Sequence, residues 1–186
     1  MIRPRIPTLL FPLLLLAAVS LWARKQPEMP ENFGTDEWAV AHYQEAVGYL
    51  KYLTDNKDRQ KLLSVPEKLR LEAWGEFWNK LDPVSISPEN EYRDAYFARI
   101  EHANLNYGTI LLPGWLTDRG ETYVRLGPPN SIERFTMRAG GKDLEVWSYW
   151  TPREVNLVFL DRTGVGDFYL LNPGDMIDQV FIYGGR

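Results

Sequence analysis

In the stretch PGWLTDRGETYVRLGPPNSIERF, residues 113–135, the side chains able to do chemistry are Thr117, Asp118, Arg119 and Glu121. Two carboxylates this close in sequence could serve as general acid and base, provided their surroundings drive their pKa values apart. Gly114, Gly120 and Gly127 would let a ligand approach the backbone. The same letters have a second reading in which nothing is catalysed. Asp118 in a TDRG turn can accept backbone N–H groups two residues on, and Trp115 beside Gly114 can plug a core. Pro128 and Pro129 in LGPPN remove the N–H groups that a phosphate would need, so this segment reads as a rigid turn.

The loop LDRTGVGDF is the next candidate, because Asp161 and Asp167 flank two glycines and oxygen ligands around such a loop could hold calcium. It lacks the alternating acids of a calcium-binding helix-loop-helix, and a hairpin with left-handed glycines accounts for every residue in it. Only two histidines exist, His42 and His102. Each falls on a predicted helix without a second histidine at i+4, so neither forms a zinc pattern, and no GxSxG elbow is present for a serine triad to use. The chain has no cysteine, which excludes disulfides, thiolate metal sites and a cysteine nucleophile. No cofactor is expected. A glycan or peptide hydrolase would therefore depend on carboxylates alone, Asp118 with Glu121 or Asp161.

The elements that position these residues follow from the hydrophobic periods. TDEWAVAHYQEAVGYLKYLTDNKD predicts a first helix capped by Thr35. SVPEKLRLEAWGEFWNKLDP predicts a second, with Ser64 and Glu67 at capping-box spacing and Leu71, Trp74, Phe77, Trp78 and Leu81 on one stripe. SPENEYRDAYFARIEHANLNYG predicts a third, from a Ser87 cap with Pro88 at the first position to a left-handed Gly108. After Gly108 the period shortens to two. ETYVRL, IERFTM, LEVWSYW, VNLVFLD and FYLL read as strands separated by GPPN, RAGGKD, TPRE and RTGVGD, and QVFIYGG as a further short strand. Connections this short require antiparallel neighbours. The expected architecture is α+β: three N-terminal helices packed on a C-terminal antiparallel sheet of four to six strands. LVFL and FYLL, apolar on both faces, are expected as central strands covered by the Trp74/Phe77/Trp78 helix.

The termini and the charge balance bear on location. Arg3 and Arg5 precede an apolar run over residues 6–23, the plan of an export signal. Cleavage after Ser20 satisfies the small-residue rule; if the segment stays, its 18 residues approach the length of a bilayer span. Residues 1–25 are thus read as a signal peptide or an uncleaved membrane anchor, 26–34 as a linker, and 35–186 as a single domain with a helical part (35–112) and a sheet part (113–186). The leader holds four of the 21 basic residues and no acid, leaving 17 basic against 25 acidic residues in the body. Such a body is a poor partner for nucleic acid, whose phosphates demand a basic face. Seven tryptophans and ten tyrosines exceed the needs of a core this size, so some are expected at the surface, among Tyr43, Tyr52, Trp150 and Tyr183.

GWLTD at 114–118, followed by RGETYVRLGPPNSIE, resembles the GWxTD domain family of bacterial proteins, whose name is the motif itself. FWNKLDPVSISPENEYRDAYFARIEHANLNYG before it, and EVWSY and LVFLDRTGVGDFYLL after it, are similar to the family's neighbouring segments, so the resemblance spans residues 70–172. It implies export, and it implies no activity, cofactor or catalytic residue. The sequence therefore favours an exported, periplasmic, non-enzymatic module with a protein partner in the cell envelope. It would contact the inner membrane through residues 6–23 if the leader is retained. The carboxylate-dependent hydrolase is the second reading.

Overall fold

The computed structural model describes residues 29–83, 89–137, 142–150 and 153–171. The first predicted helix exists as several pieces. Thr35 caps α1 (Asp36–Ala41), its hydroxyl accepting the Trp38 N–H at 3.2 Å. His42 then leaves helical geometry, with Nδ1 3.0 Å from the Trp38 carbonyl and its ring stacked on the Trp38 indole, and α2 (Tyr43–Tyr49) follows. Asp55 caps α3 (Asn56–Leu63) by accepting the Asp58 N–H at 2.8 Å, an extended position that no continuous helix over 35–58 could contain.

Ser64 does not open a helix either. It closes α3, donating its hydroxyl to the Lys61 carbonyl, and α4 (Arg70–Asn79) begins only after a 3-10 turn at Glu67–Leu69. On α4, Trp74 and Trp78 are fully buried, whereas Leu71 faces solvent. The predicted Ser87–Pro88 cap lies outside the described residues. Asn90 caps α5 (Glu91–Tyr107) through the Arg93 N–H, and its amide also donates to the Trp78 carbonyl at 3.0 Å, fixing α5 against the end of α4. Gly108 is extended at φ −63° rather than left-handed.

The largest departure is residues 118–126. They form α6 (Asp118–Leu126), not the expected first strand. Six alternating residues cannot distinguish a period of 2 from 3.6, and the flanks decide: Thr117 is an N-cap, Asp118 and Glu121 sit in the first turn, Arg125 in the last, and Gly127 ends the helix at φ 79°. GPPN therefore terminates a helix, and the sheet begins at residue 131.

The sheet is an antiparallel meander in the order β1 (Ser131–Met137), β2 (Lys142–Trp150), β3 (Glu154–Asp161), β4 (Phe168–Leu170). Trp147 pairs with Ile132 and Leu157, and Leu160 pairs with Tyr169. β3 is interior as expected, but FYLL stands at the edge of the described sheet. QVFIYGG and the RAGGKD turn tip lie outside the described residues. The core side of β2 and β3 buries Glu145, Trp147, Tyr149, Val155, Leu157, Phe159 and Asp161. What lies on them is the end of α5 together with α6: Trp147 meets Tyr107 at 5.3 Å and Tyr123 at 6.5 Å between ring centroids, and the Tyr149 hydroxyl donates to the Gly127 carbonyl. Trp74 and Trp78 instead pack on Tyr96 and Phe97 of α5, one layer further from the sheet. The architecture is α+β, with α5 as the shared element between the helical cluster and the sheet.

Candidate functional site

Every residue of the 114–118 motif has an assignable neighbour. Gly114 opens a 3-10 turn (Gly114–Leu116) laid directly on α5, where a Cβ would fall 1.8 Å from the Ala103 carbonyl oxygen. Asn104 of α5 accepts the Trp115 N–H at 3.1 Å, and the Tyr52 hydroxyl donates to the Trp115 carbonyl at 2.9 Å. The half-buried Trp115 ring packs on Tyr49 and Tyr52, with centroids 4.8 and 5.8 Å away. Thr117 bridges two backbones, donating to the Gly114 carbonyl at 2.8 Å and accepting the Gly120 N–H at 3.1 Å. Gly120 in turn admits the Gly114 carbonyl, which would stand 1.7 Å from a Cβ.

Asp118 reaches a different element. Its Oδ2 accepts the Leu170 N–H at 2.7 Å, on β4, while its own carbonyl accepts the Thr122 hydroxyl. An edge-strand donor and a helix N-terminus are thereby served by one carboxylate. Arg119 lies between sheet and helices: its guanidinium donates to Glu145 Oε2 at 3.4 Å and to the Gly166 carbonyl at 3.2 Å, and sits 3.9 Å above the Phe168 ring and 5.2 Å from that of Tyr107. Glu121 pairs with Arg125 along α6 at 3.4 Å. Gly127 is buried at the helix end, and Pro128 beside it is exposed.

Asp161 is buried at the end of β3 and accepts four hydrogen bonds, at Oδ1 from the Thr163 N–H, the Thr163 hydroxyl and the Gly164 N–H, and at Oδ2 from the Gly166 N–H at 2.6 Å. Burial works to raise its pKa, but these hydrogen bonds outweigh it and hold the carboxyl below its ordinary value. Gly164 and Gly166 both have positive φ, so the loop is a hairpin wrapped on the Asp161 carboxylate. Asp167 accepts from the Tyr169 hydroxyl at 2.7 Å. Among the described residues, no three metal-ligating side chains converge. Asp118, Glu121 and Asp161 each answer to a separate structural partner.

His102 stacks on Tyr123 at 4.2 Å, where burial lowers its pKa, and His42 serves the α1–α2 break. Of the aromatic residues expected at the surface, Trp150 is 68% exposed, Tyr52 is half-buried, Tyr43 is buried and Tyr183 lies outside the described residues.

Residues not foreseen from sequence join the motif. Glu145 is 5% exposed and accepts from Arg134 Nε at 2.9 Å and the Trp147 indole N–H at 3.0 Å, besides Arg119. Burial opposes its ionisation, and these donors with the Arg119 charge reverse the balance and keep it below the ordinary carboxylate value. Arg134 and Glu145 are direct partners across β1 and β2, a relation visible only once the register is known. Asn104 and Tyr52, the two residues that fix the Trp115 backbone, likewise lie in segments without a motif of their own.

The arrangement defines a class of protein: a small α+β scaffold whose signature residues join a helical cluster to a meander sheet. The family model of the GWxTD domain matches residues 34–172, and the chain belongs to that family. The match takes in α1 to α3, which extends it toward the N-terminus of the 70–172 span over which the resemblance was legible. No curated protein and no solved structure matches the chain.

Proposed function

We propose that this chain is an exported, non-enzymatic interaction module of the cell envelope, held at the inner membrane when its leader is retained. One observation carries the reading. The chemically able residues of the motif are spent on the fold: Thr117 on a cap, Asp118 on the β4 backbone, Arg119 on Glu145 and Gly166, Asp161 on its own hairpin. A catalytic pair needs two carboxylates that face one substrate, whereas Asp118, Glu121 and Asp161 are held by β4, by Arg125 and by the 162–166 hairpin in turn. The surface that remains is apolar in places, at Ile110, Leu111 and Trp150, which suits contact rather than turnover.

The test is crosslinking in the native envelope followed by purification of the full chain. A reproducible envelope protein that is recovered with the chain, and lost on charge substitution at Trp150, is the expected result. Recovery of the chain alone, together with a hydrolytic activity abolished by Asp118→Asn in a folded variant, would overturn the reading.

A further inference from the structure

The segment just before the motif, at the end of α5, is unusual. Residues 102–117 contain no Asp, Glu, Lys or Arg, the longest such run outside the leader. Within it Leu105, Ile110 and Leu111 are 63%, 86% and 87% exposed, and Leu112 is exposed as well. The aliphatic residues stand on a built turn. The Thr109 hydroxyl accepts the N–H groups of Leu111 and Leu112 at 3.2 and 3.0 Å, and the Thr109 N–H donates to the Leu112 carbonyl at 2.9 Å. Pro113 follows, and Gly114 and Trp115 pin the turn's far side to α5. A rigid turn that holds apolar side chains in water carries a solvation cost that an occupant would remove.

The entry of the chain says which occupant. Met29, the first described residue, packs against the core with its sulfur 3.9 Å from the amide of Asn104, the immediate neighbour of Leu105. The apolar leader segment ends at residue 23, and six peptide units to Met29 reach at most about 21 Å. The end of the leader is therefore confined to within that reach of the α5 end that carries the turn. Arg24 and Lys25 fall in that short connection, where anionic headgroups would meet them.

We infer that the turn at 109–113, with Leu105, is a membrane foot: in the tethered chain Ile110 and Leu111 seat in the boundary between headgroups and acyl chains. The inference rests on the proposed tether and adds an orientation to it. Seating costs little because no charge has to be desolvated, and the tether supplies a high effective concentration, so weak burial of a few aliphatic side chains suffices. β1, most of whose residues are exposed, stays available to a partner.

The absence of cysteine allows a direct test with the full chain. Leu111→Cys and Asp58→Cys, the latter on exposed α3, each introduce a single thiol at a site without packing. The chain is reconstituted in vesicles of phosphatidylethanolamine and phosphatidylglycerol, and the reaction with a membrane-impermeant maleimide is timed. Cys modification at 111 at least tenfold slower than at 58, relieved by a second substitution Ile110→Asp, is the expected result. Equal rates in vesicles that float with the chain would overturn the foot while leaving the tether intact. Failure of the chain to float with the vesicles would instead overturn the tether, and the foot with it. Protection that vanishes when the chain is diluted below one copy per vesicle would assign the surface to a second copy and overturn the lipid assignment.

Discussion

Gly114→Ala is the sharpest probe of the motif. An added methyl would lie 1.8 Å from the Ala103 carbonyl oxygen and 2.5 Å from its carbon, both backbone atoms in the last turns of α5. Non-bonded carbon prefers about 3.5 Å or more, so the 3-10 turn and α5 must separate by roughly 1.5 Å. That movement stretches the 3.1 Å bond between the Trp115 N–H and Asn104 and lifts Trp115 off Tyr49. Overpacking costs about 1–3 kcal/mol when side chains can yield, and the strained hydrogen bond adds about 1 kcal/mol. No side chain can yield here, so a loss of about 3–4 kcal/mol is expected, about 10 °C in melting temperature for a chain of this size. Gly120→Ala should match it, since its methyl would meet the Gly114 carbonyl at 1.7 Å. Gly75→Ala in α4 supplies the contrast: nothing lies within 4 Å of where its methyl would stand, and a helix-interior glycine replaced by alanine gains about 0.5–1 kcal/mol. Thermal melts followed by tryptophan emission rank the three. A Gly114→Ala melt within about 2 °C of the parent, or a Gly75→Ala loss as large as that of Gly114→Ala, would refute the close-approach argument.

Thr117→Ala removes a cap and its bridge to Gly114 and should lower the urea midpoint by the equivalent of about 1–2 kcal/mol, while Thr117→Ser, which keeps the oxygen, should lose under half of that. Asp118→Ala should leave the global midpoint nearly unchanged but raise amide exchange at Leu170 several-fold, because the lost acceptor serves the exposed edge of β4; unchanged exchange there would count against the assigned contact. Glu145 and Asp161 both have lowered folded pKa values, so their contribution is complete above the unfolded values near about pH 4 and is lost as pH falls through the folded ones. Urea midpoints should therefore drop below about pH 4, and Glu145→Gln combined with Asp161→Asn should flatten that limb; parallel pH profiles would contradict it. Calcium followed by a chelator should leave the melting temperature within about 1 °C, since the Asp161 oxygens are occupied by backbone donors, and a reversible shift of several degrees would restore the metal reading of the loop.

Residues that signal through local chemistry were legible in the sequence, and residues that depend on tertiary choice were not. Thr35 caps a helix as its letter and position predict, and the 3.6-residue stripe through Trp74 and Trp78 is buried. The antiparallel meander follows from short connections. The strand expected at 121–126 failed because Thr122, Val124 and Leu126 alternate over a window too short to fix a period. The stop signal was nevertheless present, a glycine followed by proline after Leu126. Ser64 with Glu67 satisfied a spacing rule that a different helix claimed first. The Arg119, Glu145, Arg134 and Trp147 network had no local signal, since two of its members meet only through the β1–β2 register and a third arrives from a helix.

A motif can be recognisable because chemistry requires it or because packing leaves no alternative, and the neighbours of residues 114–120 point to the second cause. Two glycines are required by backbone contacts that a single methyl would break, and threonine supplies both a donor and an acceptor within one side chain. Aspartate then reaches the β4 edge, and arginine meets a carboxylate, a carbonyl and two rings at once. Lysine at 119 would keep the charge but could not hold Glu145 and Gly166 together, because its ammonium is a point charge on a flexible stem rather than a planar fork. The position in the motif written x is held by Leu116, whose backbone, and no side-chain hydrogen bond, closes the 3-10 turn. Residues so constrained have little freedom to acquire a separate role. The side chains that the fold leaves unpacked are elsewhere, at Ile110 and Leu111, at Trp150 and along the outer strand β1.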